Sequence, residues 1–223
     1  MTEVTGLRER KKQETRDRIA HLATVLFIER GFDQVTIAEI ATAAGVAKMT
    51  VTNYFPLKED LVFDAHALVE DSLAAVVRSR RPGESVLHAL HRRFVEALGG
   101  GYPVLTGFAS TGFARLVQDS PRLRAREREI DENREAALHA ALAAEGGDDD
   151  RTRAAAAQLA AAHRVLFRLV RSLVRDELPD ADLDRRATAA ATATFGLLEP
   201  ALGDYLRRAA APSPGSSAPA PVQ

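Results

Sequence analysis

Thr36 to Leu61 reads TIAEIATAAGVAKMTVTNYFPLKEDL, and this stretch decides the fold. Thr36 followed three residues later by Glu39 fits a capping box: the Thr hydroxyl accepts the N3 amide and the Glu carboxylate reaches back, so a helix starts at Ile37. Ile37, Ile40, Ala41 and Ala44 recur at i, i+3, i+4 and i+7 and give that helix one buried face. Gly45 suits the left-handed residue that ends a helix, and Val46 can pack into the angle with the next one. The spacing predicts a second helix over 48–54. Val51, Tyr54 and Phe55 face inward; Lys48, Met49, Thr50, Thr52 and Asn53 face out. Two short helices at this spacing, the second presenting short polar and basic side chains, are what entry into a DNA major groove requires. A small helical subdomain with merely solvated polar residues is the competing reading.

The segment resembles the DNA-binding domain of the tetracycline-repressor (TetR) family of bacterial transcription regulators, over roughly residues 12 to 61. The resemblance rests on Gly31-Phe32, Thr36, the Ala-x-x-Ala-Gly-Val run Ala41 to Val46, Thr50, Tyr54-Phe55, Lys58-Glu59 and Leu61. Thr52 departs from it, since the family usually has Tyr there. The resemblance implies an all-α chain with an N-terminal three-helix helix-turn-helix domain and a C-terminal helical domain for ligand binding and dimerisation. On that basis Thr36, Lys48, Tyr54 and Lys58 are expected at phosphates, and Met49, Thr50, Thr52 and Asn53 at base edges. Lys58, after Pro56, also stands at an expected helix start, where amides and the dipole favour a phosphate.

The 223 residues, 46% hydrophobic and 27% charged, can bury a sizeable core and exclude disorder throughout. No cysteine is present, so disulfide and thiolate chemistry are excluded. No signal-like apolar run opens the chain, and no segment reaches the ~18 apolar residues of a membrane helix, so a cytoplasmic protein is expected. The net charge of −1 divides into +2 over residues 1–58 and −3 beyond. The positive excess sits in Arg8, Arg10, Lys11, Lys12, Arg16 and Arg18, either a basic arm approaching phosphates or a solvated helix face.

Helical periods run along the rest of the chain. Ile19, Leu22, Ala23 and Leu26 mark a first helix ended by Gly31. Leu61, Val62, Ala65, Leu68, Val69, Leu73 and Val76 predict one long fourth helix, ending before Pro82-Gly83 and linking the domains. A fifth covers 85–98 and stops at Gly99-Gly100-Gly101, where no preceding strand or following Lys-Ser/Thr supports a phosphate cradle. Helices are expected over 104–117 and, after the Ser120-Pro121 start signal, 123–144. In the latter, Arg122, Arg124, Arg126, Arg128 and Arg134 interleave with acids as a solvated face. The aspartates of 146–150 read as helix-start charges rather than metal ligands. Two long helices, 151–176 and 183–208, close the fold, and a Pro/Ser/Ala tail over 210–223 is expected to be disordered. The expected division is 1–57 for DNA, 58–209 for effector and dimer, and 210–223 as tail.

A helix-turn-helix protein reads a palindrome with two recognition helices about 34–36 Å apart, so a homodimer on double-stranded DNA is expected. Its interface is placed on Leu159, Leu166, Val170, Leu173, Phe195, Leu198, Leu202 and Leu206; burial within one chain is the alternative. The resemblance implies an effector cavity in the middle helices, where Phe94, Tyr102, Phe108, Phe113 and Phe167 supply apolar surface and His91, Arg115, His163 and Arg164 polar anchors. No cofactor is expected. His88 and His91 stand at i, i+3 without a third ligand at a recognised offset, and Ser110, Thr111 and His163 form no nucleophile motif, so neither metal site nor enzyme is expected. The sequence points to a ligand-responsive DNA-binding regulator; a DNA-binding architectural protein without effector is the alternative.

Overall fold

The computed structural model describes residues 2–100, 106–107 and 109–209. Tyr102, Phe108 and the 210–223 tail lie outside them. Among the described residues every regular element is helical, and none is long and apolar enough to cross a membrane. The basic arm is the start of α1 (Thr2–Arg30), whose Arg8, Arg10, Lys11 and Lys12 are exposed. Further along, Ile19, Ala20, Ala23 and Phe27 turn inward. They pack on α2 (Ile37–Ala44) and α3 (Lys48–Tyr54), with Phe32, Val35, Ile40, Val51, Phe55 and Leu61 completing a small core. Burying such side chains stabilises by roughly 1.5–3 kcal/mol each. This core is not self-contained, because Leu116, Val117 and Leu123 of later helices close it.

The single long fourth helix expected from Leu61 onward does not form. A 3-10 helix, Lys58–Leu61, is followed by a turn, and α4 is His66–Arg78. The Phe63 carbonyl accepts both the backbone amide of His66 (2.9 Å) and its ring Nδ1 (2.9 Å), which ends the preceding turn locally. Arg16 Nη2 donates to the Asp64 carbonyl at 2.6 Å, and Asp60 pairs with Arg126 at 2.9 Å, so the turn is fixed from two sides. Leu68, assigned to the inner face, is exposed instead; Leu73, Ala74, Val76 and Val77 are the residues buried.

After α5 (Val86–Gly100) come α6 (Thr111–Asp119), α7 (Pro121–Gly146), α8 (Asp150–Arg175) and α9 (Asp180–Gly196), and the larger core lies among α4, α5, α7, α8 and α9. Ser110, Ser120 and Asp149 cap α6, α7 and α8 by accepting the amides of Phe113, Leu123 and Thr152. The continuous 104–117 helix is corrected: Gly107 has φ +72° and Ser110 starts α6. A Cβ at Gly107 would fall 2.7 Å from the Phe167 carbonyl, so this close approach needs glycine. The helix expected over 183–208 ends at Gly196. A short α10 (Glu199–Leu202) follows, and the chain then returns to the α4–α5 turn, with Gly83 N on Arg208 O at 3.0 Å and Arg208 N on Glu84 O at 3.1 Å. Arg80, buried beneath, donates to Val77 O, Leu206 O and Glu145.

Two further expectations change. Leu159, Leu166, Val170, Leu173, Phe195 and Leu202 are buried within the chain, and Leu198 and Leu206 pack against them. An apolar face long enough for a dimer is consumed here by α5 and α7. The charged face of α7 is likewise not simply solvated. Arg134 is 1% exposed, pairs with buried Asp131 and lies 5.0 Å from the Phe167 ring centre; Arg171 of α8 pairs with Glu127. Buried charges persist only when paired, and α7 turns its acids inward to meet them.

Candidate nucleic-acid interface and adjoining cavity

The helix-turn-helix is assembled from local chemistry. Glu39 N donates to Thr36 Oγ1 at 3.2 Å, while Glu39 Oε2 accepts from Thr36 N and Oγ1, each at 2.8 Å. Arg30 Nη2 holds the other carboxylate oxygen at 2.6 Å. These bonds to the charged form, the Thr36 amide first, pull the Glu39 pKa down to about 2. The Thr36 hydroxyl proton is therefore committed to Glu39. Gly45 closes α2 at φ +64°, its amide on Thr42 O and that of Val46 on Ala41 O.

Helix α3 starts without a side-chain cap; Thr50 N reaches Ala47 O at 2.8 Å, and Val51 anchors the buried side. Lys48, Met49, Thr52 and Asn53 are exposed and Thr50 half-buried, so the five side chains expected to face outward share one accessible surface. Met49 is an exposed apolar side chain, at 68% exposure. The Thr52 hydroxyl donates to Met49 O at 3.1 Å, which leaves its lone pairs for an incoming donor. Tyr54 is half-buried against the core.

Lys58 is placed differently from expectation. Its Nζ donates to Phe32 O at 2.6 Å and lies 4.5 Å from the Phe32 ring centre and 5.4 Å from that of Phe27. Desolvation by these groups lowers the ammonium pKa. Here Lys58 ties the 3-10 helix to the end of α1, as a cation between a carbonyl and two aromatic faces.

Beside this unit lies an apolar cavity of about 240 Å³. Its walls are Val62 to His66, Val69, Gly107, Ala109, Phe113, Ile130 and Phe167, with Glu127, Asp131 and Arg171 at one side. Phe63 and Phe113 meet edge-on at 6.1 Å, and burial pushes the Asp64 carboxyl up. Of the described residues assigned to a ligand site, Phe113 and Phe167 are here. His91 stacks on Phe195 at 5.3 Å, and buried Phe94 meets His163 edge-on at 5.9 Å. Arg115 pairs with Glu177 at the surface, and Arg164 stands 3.9 Å from Glu135. His88, considered with His91 for a metal, bonds Glu199 at 3.0 Å. The wall residues missed from sequence carried a faint signal. Glu127, Ile130 and Asp131 stand at i, i+3 and i+4, one apolar side chain within an otherwise charged helix turn.

An all-α chain with a capped helix, a left-handed glycine turn and an exposed polar second helix defines a helix-turn-helix DNA-binding protein. Residues 19–65 match the family model described as bacterial regulatory proteins, tetR family. The chain is 31% identical over 171 residues to the HTH-type transcriptional regulator TcmR of Streptomyces glaucescens, covering 73% of this chain and 76% of that protein. It belongs to the TetR family of DNA-binding transcriptional regulators. Solved structures support the fold. The SmeT–triclosan complex has TM-score 0.55 at 19% identity, covering 82% of this chain and 91% of that one. NalD, the secondary repressor of the MexAB-OprM multidrug efflux pump in Pseudomonas aeruginosa, has TM-score 0.51 at 20% identity, covering 84% and 96%.

The capping carboxylate has a pH signature. Its folded pKa of about 2 lies below the ordinary 4.5, so its contribution is full above pH 4.5 and is lost as the pH falls through about 2. Glu39→Gln should lower the thermal midpoint at neutral pH, and its gap from the parent chain should narrow steadily below pH 4.5. A gap that stays constant across that window would show that the carboxylate's charge plays no part.

Proposed function

We propose that this regulator is a ligand-responsive repressor of the cytoplasm: a homodimer that holds a palindromic operator and releases it when a small apolar effector enters the cavity. Residues 1–57 read DNA and 58–209 take effector and partner. The observation that carries this reading is Arg16. Its guanidinium lies 4.8 Å from the ring centre of Phe55, the residue closing α3, while Nη2 holds the carbonyl of Asp64 in the cavity wall. A ligand that moves the 62–66 turn therefore acts on the recognition helix through one side chain. The ligand must bind the DNA-free arrangement better, and a coupling of ~1–3 kcal/mol corresponds to about 5–150-fold weaker operator binding.

Met49, Thr50, Thr52 and Asn53 are assigned to base edges, and Lys48, Tyr54 and Thr36 to phosphates; Thr36 does so by turning its amide or its hydroxyl from Glu39 to the phosphate. Lys58 acts as an anchor that positions α3. For the dimer, the outer faces replace those spent on the core: Val165 on α8 and Leu197 just after α9 are large apolar side chains at 59% and 82% exposure.

Three variants test the proposal by fluorescence anisotropy on a duplex selected from random sequence, with sedimentation alongside. Asn53→Ala should relax preference at one or two base pairs, costing about 1–3 kcal/mol on the chosen site. Val165→Glu should leave a folded monomer at micromolar concentration, and a persistent dimer would exclude this face. Val69→Trp fills the cavity in place of a ligand and should weaken operator binding by about 5–150-fold with the fold intact. Unchanged binding in that variant would favour a regulator without effector.

A further inference from the structure

Adjoining the apolar cavity runs a groove of about 280 Å³, lined by Arg124 and Arg128 of α7, Arg168, Arg171 and Arg175 of α8, and a single carboxylate, Glu127. Glu127 and Arg171 also line the cavity, so one ion pair stands in the wall between the two hollows. Arg168 joins that wall by donating to Asp131, which faces the cavity, at 3.2 Å. Arg175 is paired with its neighbour Asp176, whereas Arg124 and Arg128, one helical turn apart, have no carboxylate within ion-pair distance among the described residues. The Nε–H of Arg171 is buried with no acceptor.

From this juxtaposition we infer that the effector is an amphipathic organic anion, with an apolar ring system in the cavity and an acidic group, carboxylate, sulfonate or phosphate, on the arginines of the groove. This rests on the cavity being the effector site. Three phenylalanines supply flat apolar walls of a size suited to two or three fused or linked rings. Of the three carboxylates in the cavity wall, Glu127 and Asp131 are already matched by guanidinium groups, Asp131 by two of them, and burial pushes the third, Asp64, toward its uncharged form. A cationic ligand would have to compete with those arginines. An anion instead meets the uncompensated charge of Arg124 and Arg128 and the unmet donor of Arg171.

Two fluorescent naphthylamines that differ only by a sulfonate separate the possibilities: the anion 8-anilinonaphthalene-1-sulfonate and neutral N-phenyl-1-naphthylamine, titrated into the full chain without DNA. The anion should bind tighter by about tenfold or more, the worth of one charge-assisted hydrogen bond. Each dye should displace the other. The preference should collapse in Arg124→Gln/Arg128→Gln and in about 0.5 M salt, where exposed charges are screened. Phe113→Ala should weaken both dyes alike. Equal affinities, or a preference untouched by the double substitution, would overturn the anionic ligand while leaving the cavity as effector site. Binding indifferent to Phe113→Ala, or no binding by either dye, would overturn the inference together with the cavity reading beneath it.

Discussion

The pair Asp60–Arg126, closed at 2.9 Å with both side chains largely buried, fixes the DNA-reading unit to the rest of the molecule. Breaking a buried pair by removing one partner costs about 3–5 kcal/mol, since a lone charge is left where water cannot reach it. The three N-terminal helices need that attachment. Their core is completed by Leu116, Val117 and Leu123, so the unit is whole only when seated on α6 and α7. Arg16 and Lys58 add two cation contacts at the same seam, one to the cavity turn and one to the end of α1.

The recognition helix depends on this seating more than on its own sequence. Seven residues without a side-chain cap do not make a stable helix in water, because nucleation is costly and few bonds follow. What holds α3 in place is Val51 and Phe55 in the shared core. Small displacements of the seam are thus transmitted to the exposed face rather than absorbed by it.

Local chemistry was legible in the sequence, and tertiary chemistry was not. The capping box at Thr36 and Glu39, the turn at Gly45, the extent of α3 and the Ser120-Pro121 start all follow from neighbours within four residues, and all appear as read. The break after Leu61 was hidden because its apolar residues keep helical spacing; the partners that bend it, Arg16 and Arg126, lie far away in sequence. The contact of Lys58 within the fold was hidden for the same reason, since nothing near it announces the Phe32 carbonyl. In α7, alternating charges look solvated until α8 supplies arginines for Glu127 and Asp131. The apolar faces of α8 and α9 were plain, but a periodic stripe does not say whether its cover comes from the same chain or a second copy. Of the cavity, Phe113 and Phe167 were found because aromatics stand out, while the wall made by a bend in the chain had no pattern of its own.

The return of the last segment to the α4–α5 turn sets an order of events during synthesis. Once Leu123 has left the ribosome, every residue of the smaller core is available, whereas the larger core waits for Phe195, Leu202 and Tyr205. At typical elongation rates that interval is about 4–16 s. During it the nascent chain carries a nearly complete reading head beside α4, α5 and the emerging α7 and α8, whose apolar faces still lack their final cover. Chaperone demand should concentrate in this window, and destabilising substitutions in α9 or α10 should lower yield in the cell more than their effect on the purified protein's melting would suggest.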